Sequence, residues 1–274
     1  GSQWGLIDPV DTPDGGNVGF HKHMSMMCHI TAGYSKEPLI QLLHDKFNVR
    51  KLRTLKPKQL NRMIKIFVNG HWIGSVDDPV IFTETFKNHR RISLIPVQTS
   101  ISWNIQESII FINTDGGRLC RPIFYIDSDR KPSYELYRDK LTWENLITGS
   151  NKKIDNYDIN TFYSKDSLYG SSDIDTLLGN KCILDFVDSE EAESSLISVN
   201  KQESYLNNRF SHCEIHPSLI LGVMGNQVVY PENNQLPRDL FSCGQSKQAV
   251  SLYHSNYQNR IDKMGVVLNY GQIP

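Results

Sequence analysis

The sequence lacks a charge excess, a long apolar run and a sorting signal. Lys and Arg number 29 and Asp and Glu number 30, giving a net charge of -1. No overall field therefore attracts nucleic acid or an anionic membrane, and any contact with a polyanion must be local. No apolar run approaches the roughly 18 residues of a membrane-spanning helix, and no charged segment leads into a shorter one. We expect neither membrane contact nor a secretory signal.

Cysteine is scarce and carries no paired spacing. The five cysteines are Cys28, Cys120, Cys182, Cys213 and Cys243. An odd number, a wide scatter and the lack of a C-x-x-C pair argue against both a disulfide framework and a thiolate zinc site. We expect an intracellular protein in a reducing compartment. Because the chain begins Gly-Ser without Met, we also expect the native chain to extend upstream.

The patterns that are present predict an α+β fold. Apolar spacing predicts helices over 38–47 and 79–91, the second capped by Asp77 or Asp78. Asn-Gly at 69–70 predicts the turn of a β-hairpin. Short β-rich runs on either side of this turn and beyond it predict strands at 64–68, 71–74, 93–95, 101–103, 107–113, 121–126 and 182–187. We expect a mixed, mostly antiparallel sheet domain with flanking helices and irregular segments.

Three further segments have distinct compositions. The turn formers at 115–117 are predicted to lead the strand at 107–113 into the strand at 121–126. Residues 149–172 are polar with little periodicity, which predicts an exposed insertion. Residues 188–193 form an acidic run, interpreted as a solvated helix start with carboxylates at its positive end, with a metal site as the alternative.

Two groups of His and Cys have the side chains of a metal site but not its spacing. They are His21, His23, Cys28 and His29, and then His212, Cys213 and His216. Zinc sites pair their ligands through a tight turn or an i, i+4 spacing, and neither group has two such pairs. We therefore expect no bound metal. Residues 14–19 lack the ending of a phosphate-binding loop, and no nucleophile motif is present.

The segment 232–248 is dense in amides and cations. Arg238 and Lys247 lie among several amide side chains, including Gln235 and Gln248. A guanidinium fork matches phosphate oxygens, and amides can bond to sugar hydroxyls. The chemistry leaves open both a phosphate-bearing ligand and a polar surface without one.

Several motifs, in order along the chain, resemble the β-like second-largest subunit of multisubunit DNA-dependent RNA polymerases. Residues 4–19 resemble its fork signature W-G-x-x-x-P-x-E-T-P-E-G-x-x-x-G, with aspartate at both glutamate positions. Residues 67–74 and 114–122 resemble the hairpin and the turn of the region called external 2. Residues 186–193 resemble an acidic run of the family, which implies a structural role for those carboxylates.

The closing segment resembles the start of the hybrid-binding region of the same family. The resemblance implies that Arg238 approaches the phosphates of the incoming nucleotide. It also implies that Gln235, Lys247 and Gln248 lie along the growing RNA end, and that Asp14 in the fork turn is a further contact. The pattern is more similar to eukaryotic, archaeal or large-DNA-virus enzymes, giant viruses included, than to bacterial ones.

The resemblance also implies an organisation in three regions. These are a fork-like region at 1–62, an external-2-like α+β domain at 63–206 and an incomplete hybrid-binding region at 207–274. The chain would then be an internal fragment, inactive alone, of a nucleotidyltransferase that works in the nucleus, the cytoplasm or a virion. The implied partners are the largest and other polymerase subunits, template DNA, RNA and nucleoside triphosphates, with Mg²⁺ held mainly by the largest subunit and none by this chain.

Two other functions stay open at this point. One is a stand-alone protein-interaction module that uses the fork-like turn and the acidic run as docking surfaces. The other is a hydrolase that uses a metal held by the His and Cys groups.

Overall fold

The computed structural model describes residues 3–127, 130–136, 182–207 and 209–249, apart from the side chains of residues 136, 248 and 249. The insertion predicted at 149–172 lies outside these residues. The helices in the described ranges are α1 (Glu37–Lys46), α2 (Pro57–Leu60), α3 (Pro79–Arg91), α4 (Ser133–Leu136), α5 (Ser189–Ser194), α6 (Lys201–Leu206) and α7 (Leu236–Ala249). None of these helices is both long and apolar enough to cross a membrane.

The strands form two sheets. In chain order the described strands are β1 (His29–Ile30), β2 (Arg50–Lys51), β3 (Ile64–Val68), β4 (His71–Val76), β5 (Ser100–Asn104), β6 (Ile109–Asn113), β7 (Leu119–Tyr125), β8 (Leu184–Asp188), β9 (Ile197–Ser198) and β10 (His212–Cys213). In the first sheet β7 pairs with β1, β8 and β10, and β10 pairs with β9; the second sheet has the order β2-β4-β3-β6-β5. The pairs β3–β6 and β9–β10 are parallel, and the other described pairs are antiparallel. The predicted α+β class, with mixed and mostly antiparallel sheets, is confirmed.

The β3–β4 hairpin forms as predicted. Asn69 and Gly70 have φ angles of 47° and 77°, the left-handed pair that a two-residue hairpin turn requires and that Asn-Gly favours. The Asn69 side chain donates from Nδ2 to Thr114 Oγ1 at 2.9 Å and accepts the Thr114 N–H at 2.8 Å. The turn is thereby attached to the end of β6.

Helices α1 and α3 pack against the second sheet. The Asp78 carboxylate caps α3 by accepting the N–H groups of Val80 and Ile81 at 3.1 and 3.3 Å, so α3 begins and ends where predicted. Helix α1 lies within one residue of its predicted bounds. The two helices and the strands share one apolar core, formed by Leu39, Leu43, Phe47, Val49, Ile66, Val68, Val76, Phe82, Phe86, Ile95, Ile101, Ile110 and Ile112.

The prediction of a strand at 93–95 is wrong. Ser93 has a φ of 63°, and the N–H groups of Leu94 and Ile95 donate to the His89 carbonyl at 3.0 and 3.3 Å. A left-handed residue just past a helix, followed by N–H groups that bond back to the last turn, is a common helix stop. The apolar residues here are present for burial, since Ile95 is 1% exposed, and not for strand pairing.

The predicted turn at 115–117 is present, but the strands on either side of it do not pair. Strand β6 lies in the second sheet and β7 in the first, so the chain crosses between sheets at this turn. Gly116 allows the turn to approach another backbone closely, because a Cβ there would lie 2.9 Å from the Gly33 nitrogen. Arg118, just after the turn, donates from Nη1 to Asp188 Oδ2 at 2.8 Å. Two of the family-like motifs therefore bind each other.

A buried ion-pair network joins the two sheets. Arg90, in the last turn of α3, is 1% exposed and donates to the two carboxylate oxygens of Glu191 at 2.7 and 2.8 Å and to the Thr99 carbonyl at 2.9 Å. The neighbouring Arg91 donates to Asp185 on β8 at 2.6 Å. Burial opposes the charge on Arg90, but Glu191 and Asp185 outweigh it and raise the pKa of the guanidinium. Arg90 therefore stays charged inside the protein.

The acidic run after β8 is solvated only in part, so its interpretation as a solvated helix start is wrong for two carboxylates. Asp188 is 3% exposed and caps α5 by accepting the Glu191 N–H at 2.8 Å. Glu191 is 0% exposed, whereas Glu190 and Glu193 are exposed. The burial depends on Arg90, which lies 101 residues away in the chain. The structural role implied by the family resemblance agrees with these contacts.

We expect Glu191→Gln to lower the free energy of unfolding by about 3–5 kcal/mol, because it leaves Arg90 as a buried charge without its paired carboxylate. Glu193→Gln, the same change at an exposed position of α5, should alter it by less than about 0.5 kcal/mol. Urea unfolding followed by circular dichroism measures both variants. Equal effects of the two substitutions would contradict a stabilising role for the ion pair.

Candidate functional site

The N-terminal loop (residues 3–28) and the segment that leads into α7 (residues 214–235) meet at the carboxylate of Asp8. Asp8 is 5% exposed, and its Oδ1 accepts the Val10 N–H at 2.9 Å while its Oδ2 accepts the Gly222 N–H at 2.8 Å. Its own N–H donates to the His23 carbonyl at 2.8 Å. Asp8 therefore fixes the loop against a segment that is 214 residues distant in the chain.

Two glycines allow this contact to form. A Cβ at Gly222 would lie 2.6 Å from Asp8 Oδ2 and 2.8 Å from the Met24 carbonyl oxygen. A Cβ at Gly225 would lie 2.8 Å from the same Asp8 oxygen. Distances this short do not occur between such atoms in real structures, so the carboxylate requires bare backbone on this side.

The tip of the N-terminal loop extends into solvent. Thr12 closes its base, since Oγ1 donates to the His21 carbonyl at 3.0 Å and accepts the Gly19 N–H at 2.9 Å. Residues 14–20 are exposed. The Asp14 carboxylate accepts the N–H of its neighbour in the chain at 2.9 Å. Asp14 thus lies where a ligand from outside the chain can reach it.

Helix α7 has a buried and an exposed face. Leu240 and Cys243 are 5% and 1% exposed and lie on the face toward the rest of the protein. Arg238 and Phe241, three positions apart and thus neighbours on the helix surface, are exposed. The Arg238 N–H donates to the Gln235 carbonyl at 2.9 Å, and the Gln235 side chain is exposed. The start of α7 therefore presents a guanidinium and an amide to solvent.

Lys247 lies near the other end of α7, on the buried face. Its Nζ is 2.6 Å from Asp11 Oδ1 and 2.9 Å from His23 Nε2. The Asp11 side chain is 6% exposed and that of Lys247 is 33% exposed. This contact ties the C-terminal end of α7 to the N-terminal loop.

The structure thus brings together some of the predicted contact residues and separates others. Arg238 and Gln235 are neighbours at the start of α7. Lys247 is roughly 13 Å further along the axis, from the rise of about 1.5 Å per residue, and on the other side of the helix. Gln248 belongs to α7, but its side chain lies outside the described residues. Asp14 lies on the separate loop tip.

Several side chains of the two His and Cys groups are buried or hydrogen-bonded within the protein. His212 is 1% exposed, and burial lowers its pKa against the opposing effect of a hydrogen bond with Asp185. His216 Nδ1 accepts the Ser218 N–H at 3.1 Å. Burial raises the pKa of the Cys28 thiol to about 12. Within the ranges that the structure describes, no group of three or more His, Cys, Asp and Glu side chains could hold a metal ion.

Sequence reasoning missed the buried charges that assemble this region. Besides Asp8 and Asp11, Arg121 on β7 donates to Glu214 Oε2 at 2.6 Å, and both side chains are buried. The Arg121 guanidinium also covers Gly5, where a Cβ would lie 2.5 Å from Nη1. The sequence did contain a signal for the buried charge at Arg121, because a charged residue there interrupts a β-rich run. Its partner could not be found from local patterns, because it lies 93 residues away.

Comparisons with known proteins match the chain to RNA polymerase subunits. Family models described as RNA polymerase Rpb2, domain 3, and RNA polymerase Rpb2, domain 4, match residues 1–30 and 66–127. The DNA-directed RNA polymerase II subunit RPB2 of Encephalitozoon cuniculi is 30% identical over 286 residues, a match that covers 100% of this chain and 22% of that protein. RPB2 of Schizosaccharomyces pombe is 29% identical over 300 residues, covering 100% of this chain and 24% of that protein. The polymerase III subunit RPC2 of Drosophila melanogaster is 29% identical over 275 residues, covering 100% of this chain and 22% of that protein.

These matches all fall on one segment of the second-largest subunit of multisubunit RNA polymerases. The chain belongs to the RNA polymerase second-largest subunit family, as its motifs predicted. It spans between a fifth and a quarter of the length of these relatives, which cover 100% of it. The similarity to giant-virus sequences is not tested by these relatives and stays a prediction.

We expect Gly222→Ala to lower the free energy of unfolding by about 1–3 kcal/mol, because the added methyl group collides with Asp8 and breaks its hydrogen bond. Gly244→Ala, in α7, should raise it by up to about 1 kcal/mol, since alanine favours helix over glycine and a Cβ there meets nothing within 4 Å. Thermal unfolding of the two variants measures the difference. A neutral Gly222→Ala would show that the Asp8 contact does not hold the loop.

Proposed function

We propose that this chain serves, as part of a longer second-largest subunit, in template-directed RNA synthesis by a DNA-directed RNA polymerase. The observation that carries the proposal is the exposed Arg238 at the start of α7, a helix whose opposite face is anchored to the N-terminal loop. The relatives that match the whole chain are polymerase II and polymerase III subunits by name. In isolation the chain should be inactive as a nucleotidyltransferase, because it would contribute contacts to substrates that other segments and subunits also hold.

Two features of Arg238 support a role in phosphate binding, its guanidinium and its exposed place at the start of α7. Phosphoryl transfer places negative charge on the phosphate oxygens and the leaving pyrophosphate. A planar guanidinium can neutralise that charge with two parallel hydrogen bonds, which a lysine cannot do. Pro237 restricts the backbone immediately before it, and the start of a helix carries positive partial charge. Arg238 would therefore act as a charge clamp on the incoming nucleotide.

The remaining contacts follow the growing RNA. Gln235, next to Arg238, offers an amide that can donate to and accept from a sugar hydroxyl. Lys247 and Gln248 would lie further along the RNA, and Asp14 at the fork turn. The net charge of -1 implies that the isolated chain binds RNA or DNA weakly and with a shallow salt dependence. Template, RNA and nucleotide would be held tightly only in the assembled enzyme.

The partners in this proposal are the largest subunit and the other polymerase subunits. Magnesium, when bound to such an enzyme, neutralises charge on the reacting phosphates. The family resemblance assigns Mg²⁺ mainly to the largest subunit, and we propose the same arrangement here. The compartment would be the nucleus or the cytoplasm, wherever the polymerase transcribes.

We expect Arg238→Ala in the complete polymerase to slow nucleotide addition roughly 30- to 1000-fold. The loss of one preorganised electrostatic donor costs about 2–4 kcal/mol of transition-state stabilisation. Arg238→Lys should recover only part of the rate, because a point charge does not replace the fork. The measurement is pre-steady-state addition of a single nucleotide to a preformed elongation complex.

Arg53→Ala is the matched control for this experiment. Arg53 is exposed but belongs to the segment after β2, beside the second sheet, so its replacement should leave the rate unchanged. Both variants should assemble and retain template. A normal rate and a normal nucleotide affinity in Arg238→Ala would refute the role assigned to Arg238.

A further inference from the structure

The ammonium group of Lys247 is supported from two sides by the N-terminal loop. Asp11 Oδ1 lies 2.6 Å and His23 Nε2 lies 2.9 Å from Nζ. An ammonium carries three donors, and a histidine nitrogen accepts only when the ring is neutral and its proton is on the other nitrogen. Two donors are thus matched by protein acceptors within the described residues, and one donor is left for a ligand.

The carboxylate that supports the ammonium is more buried than the lysine, whereas the His23 side chain is 43% exposed. Asp11 is 4% exposed, and it lies next to Thr12, which closes the base of the loop. A lysine side chain otherwise samples many rotamers, with about 2 kcal/mol of rotamer entropy to lose on binding. A carboxylate that already holds the ammonium removes much of this loss before a ligand arrives.

The same carboxylate reduces the net charge of the site. Asp11 and Lys247 together are neutral, so the pair exerts little long-range attraction on a polyanion. What remains is a directed N–H group at a fixed position on a half-exposed side chain. Such an arrangement favours an accurate contact with a single anionic oxygen over strong, nonspecific binding.

We propose that Asp11 is a positioning residue, with His23 as a second support, that presents the Lys247 ammonium to a phosphodiester oxygen of the RNA. This inference rests on the proposed function, in which α7 lies beside the growing RNA. It assigns to the N-terminal loop a part in RNA placement that does not require the loop to touch RNA.

The test is a double-mutant cycle in the complete polymerase, read out by single-nucleotide addition over a range of nucleotide concentrations up to saturation. Lys247→Ala should slow addition roughly tenfold, the effect of losing one hydrogen bond to a charged group. Asp11→Asn should slow it by roughly 3- to 10-fold when Lys247 is present and less than about twofold when Lys247 is already alanine. The apparent nucleotide affinity should stay the same, because the contact is to RNA. Asp45→Asn, at an exposed position of α1, is the matched control.

Two further readouts separate positioning from a purely structural ion pair. Asp11→Asn removes a negative charge, so RNA binding should become more steeply salt-dependent while addition becomes slower. The exchange of Asp11→Lys with Lys247→Asp should restore thermal stability but not the rate, because the ammonium then lies on the loop. An equal effect of Asp11→Asn with and without Lys247, or a full recovery of the rate by the exchange, would overturn the proposal.

Arg238→Ala, measured in the same assay, distinguishes the two levels of failure. If Arg238→Ala slows addition while Asp11→Asn and Lys247→Ala do not, the positioning role is refuted and the proposed function is retained. If none of the three variants changes the rate, the proposed function fails and this inference fails with it.

Discussion

The contact between Arg90 and Glu191 is the constraint on which the rest of the structure depends. Arg90 lies in the last turn of α3, which packs on the second sheet, and Glu191 lies in α5, which directly follows β8 of the first sheet. Both are at most 1% exposed, and without the other each would keep only a longer ion pair, Arg90 with Asp185 and Glu191 with Lys87, both at 3.8 Å. Loss of the close partner of a buried ion costs several kcal/mol. Asp188 adds a second connection, because it caps α5 and also binds Arg118 at the crossing from β6 to β7. The two sheets are therefore held in one orientation by charges with specific partners.

The site inherits its geometry from this arrangement through the first sheet. Arg121 on β7 binds Glu214 and covers Gly5, which places the N-terminal loop beside the segment after β10. Asp8 then holds that segment, and Asp11 holds the end of α7. The exposed side chains at the start of α7 are thus oriented by a series of buried carboxylates. The exposed chemistry of α7 therefore depends on the buried ion pairs and hydrogen bonds beneath it.

Local signals predicted local structure well. Asn-Gly predicted the hairpin turn, and an aspartate able to cap the helix predicted the start of α3, because both act within a few residues. The division of the strands over two sheets, the burial of Glu191 and the contact of Asp11 with Lys247 were not predicted, since each depends on partners that are far apart in the chain, 101 residues for Arg90 and Glu191 and 236 for Lys247 and Asp11. For the site, motif resemblance picked out Arg238 and Gln235, which the structure brings side by side at the start of α7, but not the carboxylates that orient the helix.

The core of the second sheet is apolar, whereas the junction between the two sheets contains buried charges. The stability of these two interiors therefore depends differently on temperature. The second sheet has a core of aliphatic and aromatic side chains, whose burial carries a large heat-capacity change and whose contribution weakens on cooling. The junction between the sheets buries charges, whose desolvation penalty falls as temperature rises. Warming therefore favours the junction while cooling weakens the apolar core. The orientation of the two sheets should accordingly be kept to higher temperatures than hydrophobic packing alone would allow.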